Sequence, residues 1–489
     1  MNIVYLVVPS LLIAVVLAAV WLDRWSVPVI LVALGAGIIF GSDVLNLWNF
    51  GNFELTNQVA NLALVFILFQ GGFGTKRDDF KRVALPAGGL ATWGVVITAS
   101  ATFAVLRFVL QWPYDKALLI AVIISSTDAA ATFSILRRQA LPRTLSSTLE
   151  IESAANDPMA ILLTIATVQA FASGASQGPF LIVLFIWKIA MGPLIGWVLA
   201  RLALWLFNRL NPQDRGYYYV LFLGIVLLTY GFAETVLASG MLAVFTAGYI
   251  LGNRPFVHKQ GVSNFSAAIS TIANIGMFVL LGLLVFPRQW STLWVDGIVL
   301  FLVLTFVARP VAVLIGTFGM RLPWRNKLFM TWAGLRGSVP IVLATYPAAA
   351  GLAPGQDIFN LVFFAVLLSV SLQGSTLGLV SRWLGLYAPS RPASLYNLEL
   401  ITMAHSDLDL IVVDLPDPRG AEGPAIRDLA LPAGAVITLV TRGKEVLSPK
   451  GGTVLKGWDQ VTVLAHAKDE ATVRAALIEP FSAERTGSA

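Results

Sequence analysis

Cysteine is absent from all 489 residues, which excludes disulfides, thiol nucleophiles and thiolate metal sites. Histidine is nearly absent, and three residues are too few for a histidine-rich metal centre. Charge is scarce at 12% of residues, where a soluble domain carries about 25%. Apolar residues fill the gap: 57% of the chain is hydrophobic and the mean hydropathy is +0.78. Apolar runs of roughly twenty residues, the length that crosses a hydrocarbon core, recur along it, so an all-α polytopic membrane protein is expected. The net charge of +6 suggests a nucleic-acid surface until the charges are located. Up to residue 386 there are 23 basic and 14 acidic residues, and beyond it 10 and 13. The positive excess therefore belongs to membrane topology, and no nucleic-acid partner is expected.

Thirteen hydrophobic spans are predicted, at 3–21, 26–41, 55–73, 84–108, 115–136, 148–172, 179–200, 217–235, 239–252, 264–287, 293–317, 326–348 and 357–380. The first has no basic residue before it and is too long for a signal-peptide core, so it reads as a spanning helix. With the N-terminus outside, the inward loops carry sixteen basic residues, from Arg24 to Lys327, against Arg107, Lys116 and Arg288 in the outward ones. That asymmetry predicts a multi-pass protein of the inner membrane with a cytoplasmic C-terminus.

After residue 386 the composition changes. "APSRPAS" reads as a linker, and "LDLIVVDL", "AVITLVTRG" and "DQVTVLAH" alternate as strands before an amphipathic "KDEATVRAALIEPF". The expected organisation is a transmembrane domain over 1–386, a linker over 387–394, a small cytoplasmic α+β domain over 395–480 and a disordered tail over 481–489.

Two spans are interrupted by small, polar or helix-breaking residues. Span 5 holds "SSTDAAATF" and span 12 holds "WAGLRGSVP". Seven spans apart, they run in opposite directions, and paired broken helices in two inverted halves point to a transporter binding site.

Ionisable residues inside the spans are Asp128, Glu152, Asp157, Lys188, Arg309 and Arg336, and each is presumed functional because its desolvation is costly. In span 6, Ser153 and Asp157 share one helix face, and Glu152 and Asn156 share the adjacent one. An unwound Thr127–Asp128 opposite would add carbonyl and carboxylate oxygens. Such a set of hard ligands suits a small alkali cation. The plainer alternative, acids that only pair with arginines to hold helices together, fits Glu152, with Arg309 the first candidate partner and Arg336 the second. Arg336 fits equally as compensation for the broken helix ends. Asp157 has no evident cation of its own, so proton and transported ion can compete for it. Nothing in the sequence explains Lys188 beyond snorkelling or a subunit interface. Ser153 and Ser338 lack a placed base, so an enzyme is not expected, nor is any cofactor. A channel would need no switching carboxylate.

"SSTDAAATF" with "ESAANDPMA", then "ARPVAV" and "WAGLRGSVPIVLA", resemble the monovalent cation:proton antiporter superfamily, in its NhaP/NHE branch, over about residues 1–385. The resemblance implies a homodimer with a dimerisation domain and a six-helix core in which two unwound helices cross. It implies that Asp157 is the exchanging carboxylate, with Asp128, Thr127 and Ser153 completing the ion shell and Asn156 and the Glu152–arginine pair in support. Relatives with Asn-Asp here are generally electroneutral, which implies one-for-one exchange. Many relatives carry an acid where this chain has Gln70. The tail, "AIRDLALPAGAVITLVTRGKEVLSPKGGTVLKGWDQVTVLA", resembles TrkA-C ligand-binding domains, although their Gly-Asp is interrupted here by Trp458. That likeness implies a small, nucleotide-like regulator and favours K⁺/H⁺ over Na⁺/H⁺ exchange; a domain for packing or assembly is the alternative.

Overall fold

The computed structural model describes residues 2–22, 29–41, 45, 51–128, 132, 141–173, 178–210, 212, 214–320, 322–353, 355–386, 408–416, 422–443, 445–466 and 469–482. It divides into two compact units, Met1–Tyr387 and Ala388–Ala489. The proposed linker and tail lie outside the described residues, apart from 481–482 at the end of the last helix.

The first unit is helical. In chain order its elements are α1 (Asn2–Leu22), α2 (Val29–Phe40), α3 (Phe53–Gly74), α4 (Arg77–Ala104), α5 (Tyr114–Ile123) and α6 (Arg143–Ser173). They continue with α7 (Gly178–Arg209), α8 (Gly216–Thr235), α9 (Gly240–Gly252), α10 (Lys259–Leu283), α11 (Trp290–Gly316), α12 (Trp324–Trp332), α13 (Ser338–Ala349) and α14 (Gly355–Trp383). Among the described residues seven helices are long and apolar enough to cross a membrane. α6, at 31 residues, is long enough but carries Glu152, Asn156 and Asp157. Large apolar side chains such as Trp93, Phe108, Val220 and Leu228 point outward and uncovered, as on a surface meant for lipid rather than water.

Among the described residues each predicted span coincides with a helix or, for span 12, a broken pair, with shifted ends; for span 5 the described helix covers the first half. α7 continues nine residues past the predicted end at 200, which places Arg201 inside the helix. There its guanidinium lies 5.4 Å from the Trp197 ring. α6 likewise starts at Arg143 rather than 148. Hydrophobicity marks where a span is buried, whereas backbone hydrogen bonding carries a helix on into polar residues.

The helices form two sets. α2, α3 and α7–α10 pack chiefly on one another, as do α4–α6, α11, α12 and α14. Glycine sets the close approaches within the first set. A Cβ on Gly248 would come within 2.3 Å of the Phe69 carbonyl oxygen, and one on Gly252 within 2.1 Å of that of Phe73. With no hydrophobic driving force between helices in lipid, this backbone-to-backbone packing joins α9 to α3. α13 packs on both sets, against α14 on one side and α3 on the other.

The second unit is a four-stranded antiparallel sheet of β1 (Leu408–Asp414), β3 (Val436–Arg442), β4 (Glu445–Leu447) and β6 (Gln460–His466), ordered β1-β6-β3-β4. β2 (Glu422–Ala425) pairs separately with β5 (Val454–Lys456), and both fell below the length at which alternation is visible in sequence. Ile411, Val413, Val461, Val463 and Ala465 alternate onto one face, where Val473 and Leu477 of α15 (Glu470–Ser482) complete the core. At the turn into β6 the buried Asp459 accepts from Arg442 Nε (2.8 Å), Arg442 Nη2 (2.7 Å) and the Lys456 amide (2.9 Å). The carboxylate raises the Arg442 guanidinium above its ordinary pKa. Trp458, which interrupts the Gly-Asp, takes a left-handed φ of 72°, a conformation that glycine adopts more cheaply.

Candidate functional site

Both interrupted spans are unwound. α5 stops at Ile123 and residues 126–128 are non-helical. α12 stops at Trp332, and α13 restarts at Ser338 after Gly337 at φ −125°, ψ −141°. Of the second half of span 5 only Thr132 falls within the described residues.

The two breaks bond to each other. The Asp128 amide donates to the Leu335 carbonyl at 2.8 Å, and the Thr132 hydroxyl to the Ala333 carbonyl at 3.1 Å. Arg336 Nη1 donates to the carbonyls of Ser125 (2.9 Å) and Ser126 (2.6 Å). A helix end buried in an apolar bundle must place its orphan carbonyls somewhere, and here the guanidinium of one broken helix takes up those of the other. Arg336 thus holds the unwound backbone together and is not hydrogen-bonded to Glu152.

Glu152 pairs with Arg309. Nη1 donates to Oε1 at 2.5 Å and Nη2 to Oε2 at 3.1 Å, with both side chains buried. Arg309 Nε and Nη2 also donate to the Met330 carbonyl at 3.3 and 3.1 Å. Two local features permit this. A π-helical turn, Leu304–Ala308, precedes Arg309, and its extra residue resets the face on which the side chain emerges. Gly334 leaves room for the guanidinium, since a Cβ there would lie 2.3 Å from Arg309 Nε.

The adjoining face of α6 meets the unwound backbone. The Ser153 hydroxyl donates to the Thr127 carbonyl at 2.8 Å, and Asn156 Nδ2 donates to Thr127 Oγ1 at 2.7 Å. Asp157 lies beside Ser126 and within electrostatic reach of Asp128. The contact with Ser126 falls short of a hydrogen bond, which leaves Ser126 Oγ a buried hydroxyl with no partner among the described residues. Thr127, Glu152, Ser153 and Asn156 are buried, whereas Asp128 and Asp157 remain partly accessible. The Asp128 carboxylate lies against Gly337, where a Cβ would be 1.7 Å from Oδ2. It stands at the positive end of α13, an arrangement that favours a carboxylate.

Sequence reasoning selected Thr127, Asp128, Ser153 and Asp157, and the fold gathers all four. It missed Ser126, Gly334 and Gly337. Ser126 adjoins Thr127 in "SSTD", but only the path of the unwound chain selects it over Ser125. Gln70 Oε1 is buried without a hydrogen-bond partner among the described residues, in α3 rather than on the crossing segments. Lys188 lines a small cleft with Gln169, Leu162 and Phe185 between α6 and α7.

The profile of the sodium/hydrogen exchanger transmembrane family matches residues 11–383 of this chain. The chain belongs to that family. The TrkA-C domain profile matches residues 410–478 of the same exchanger. It is 33% identical over 476 residues to the K⁺/H⁺ antiporter NhaP2 of Shewanella oneidensis, covering 95% of this chain and 81% of that one. It is 32% identical over 471 residues to the K⁺/H⁺ antiporter NhaP of Alkalimonas amylolytica, covering 96% and 82%. The exchanger's fold matches that of the sodium proton antiporter MjNhaP1 from Methanocaldococcus jannaschii at pH 8. The TM-score is 0.68 at 24% identity, over 78% of this chain and 99% of that one.

Proposed function

We propose that this exchanger trades one K⁺ for one H⁺ across the inner membrane by alternating access, with the two ions competing for Asp157. One observation carries the reading: the Asp157 carboxylate on α6 adjoins the unwound segment that bonds to the break before α13, beside a Ser126 hydroxyl with no hydrogen-bond partner among the described residues. Carboxylate, hydroxyl and carbonyl oxygens are hard ligands for an alkali ion. Asp157, Asp128, Ser126, Ser153 and the Thr127 carbonyl form the proposed shell. Asn156 holds Thr127, Arg336 holds the unwound carbonyls, and Glu152–Arg309 ties α6 to α11. A carboxylate that is either protonated or cation-bound in each state carries no net charge across, so exchange is electroneutral. The names of the K⁺/H⁺ relatives and the TrkA-C match favour K⁺ over Na⁺. Domains over 1–386 and 395–480, a homodimer, an outer N-terminus, a cytoplasmic C-terminus and a nucleotide-like regulator of the second domain complete the proposal.

The test uses purified protein in liposomes with an imposed proton gradient and an internal pH dye. K⁺ collapses the gradient regardless of voltage, and Asp157→Asn abolishes the response while remaining folded. Collapse by Na⁺ alone would replace the cation. Voltage-driven K⁺ flux that survives Asp157→Asn without moving protons would mean a channel.

A further inference from the structure

α13 joins the ion site to the other set of helices. At one end Gly337 lies against Asp128, and eight and nine residues on, about 12–14 Å along the helix, stand Thr345 and Tyr346. Asn57 Nδ2 of α3 donates to Thr345 Oγ1 at 3.0 Å, and Asn61 Nδ2 donates to Asn57 Oδ1 at 2.9 Å. The Tyr346 hydroxyl donates to Asn61 Oδ1. Asn57 and Asn61 are one turn apart on a single face of α3. Both spend amide donors on α13 or on each other, and Thr345 is fully buried. None of these four side chains touches the proposed ion shell, and none was singled out by the sequence.

A permanent brace at this contact would be expected to resemble the glycine-packed α3–α9 contact, where backbones touch. Neutral polar pairs behave differently. They specify one register, since slipping would strand half-buried amides and the buried Thr345 hydroxyl, yet each shifts an equilibrium by only about fivefold. Alternating access requires the crossing segments to move against α3 and its neighbours, and α13 is the crossing element packed on α3.

We infer that Asn57–Thr345 and Asn61–Tyr346 form a releasable latch, closed when the ion site faces one side of the membrane and open when it faces the other. This rests on the antiport reading. By the loop charges the latch lies on the outer side, so its closure shuts Asp157 off from the exterior.

The chain has no cysteine, so Asn57→Cys with Thr345→Cys supplies the only two thiols. In liposomes a short bis-methanethiosulfonate bridges them. Bridging is expected to stop exchange by about tenfold or more, and dithiothreitol to restore it. The bridging rate is expected to change severalfold between cation-free buffer and saturating K⁺ or Na⁺. Tyr346→Phe keeps the ring and shifts that rate by about fivefold. Bridged protein that exchanges as fast as reduced protein, or a bridging rate indifferent to both cations, overturns the latch. If wild-type protein exchanges neither cation, the antiport reading falls, and the cation dependence of bridging then decides the latch alone.

Discussion

Replacing Glu152 with glutamine keeps the shape of the side chain and removes its charge. Arg309 would remain buried with one neutral acceptor where it had a bidentate carboxylate, its other bonds going to the Met330 carbonyl. Both partners are almost fully enclosed, at 3% and 1% exposure, so little solvent screening discounts the loss. Breaking a buried pair by removing one partner typically costs about 3–5 kcal/mol. Arg309→Met is expected to fall in the same range, because it strands Glu152 and leaves the Met330 carbonyl short of its donors. Glu152→Leu with Arg309→Met removes both charges, and buried pairs replaced by apolar residues are often neutral in stability. The double variant is therefore expected to recover most of the loss, costing less than Glu152→Leu or Arg309→Met alone. The assay is thermal unfolding of the detergent-solubilised protein, followed by fluorescence-detected size exclusion. Single variants that unfold at the wild-type midpoint, or a double variant as unstable as the sum of the singles, would refute the pair as the tie between α6 and α11.

Gly337→Ala would place a methyl inside the Asp128 carboxylate, since even Asp128 Cβ is only 2.4 Å from the new atom. It is expected to reduce exchange severalfold or more in folded protein by displacing Asp128, and unchanged cation-dependent gradient collapse would contradict that placement. Asp459→Ala removes three charge-assisted hydrogen bonds in the second unit. It is expected to destabilise that unit by about 2–3 kcal/mol, with faster proteolysis between residues 422 and 466 in the full-length protein as the readout. Trp458→Gly relieves the left-handed φ and is expected to slow the same cleavage, by about 1 kcal/mol of stability. Faster cleavage would show that the indole contacts outweigh the strain.

The order of helices, the two breaks and the acids of α6 were legible because each is a local property of the chain. Apolar length identifies a span, and "SSTD" and "GLRGS" interrupt one wherever they fall. The face shared by Ser153 and Asp157 follows from helical periodicity alone. Which arginine meets Glu152 was not local. The two candidates lie 27 positions apart in sequence, and a π-turn before Arg309, together with the missing side chain of Gly334, directs that guanidinium to the acid. Arg336 is turned instead toward carbonyls that exist as free acceptors only because α5 unwinds opposite it. Ser126, Gly337 and the Asn57–Thr345 contact became visible only once chains distant in sequence crossed. Composition and periodicity set what each segment is, whereas partners for buried polar groups depend on which segments meet, and only tertiary packing decides that.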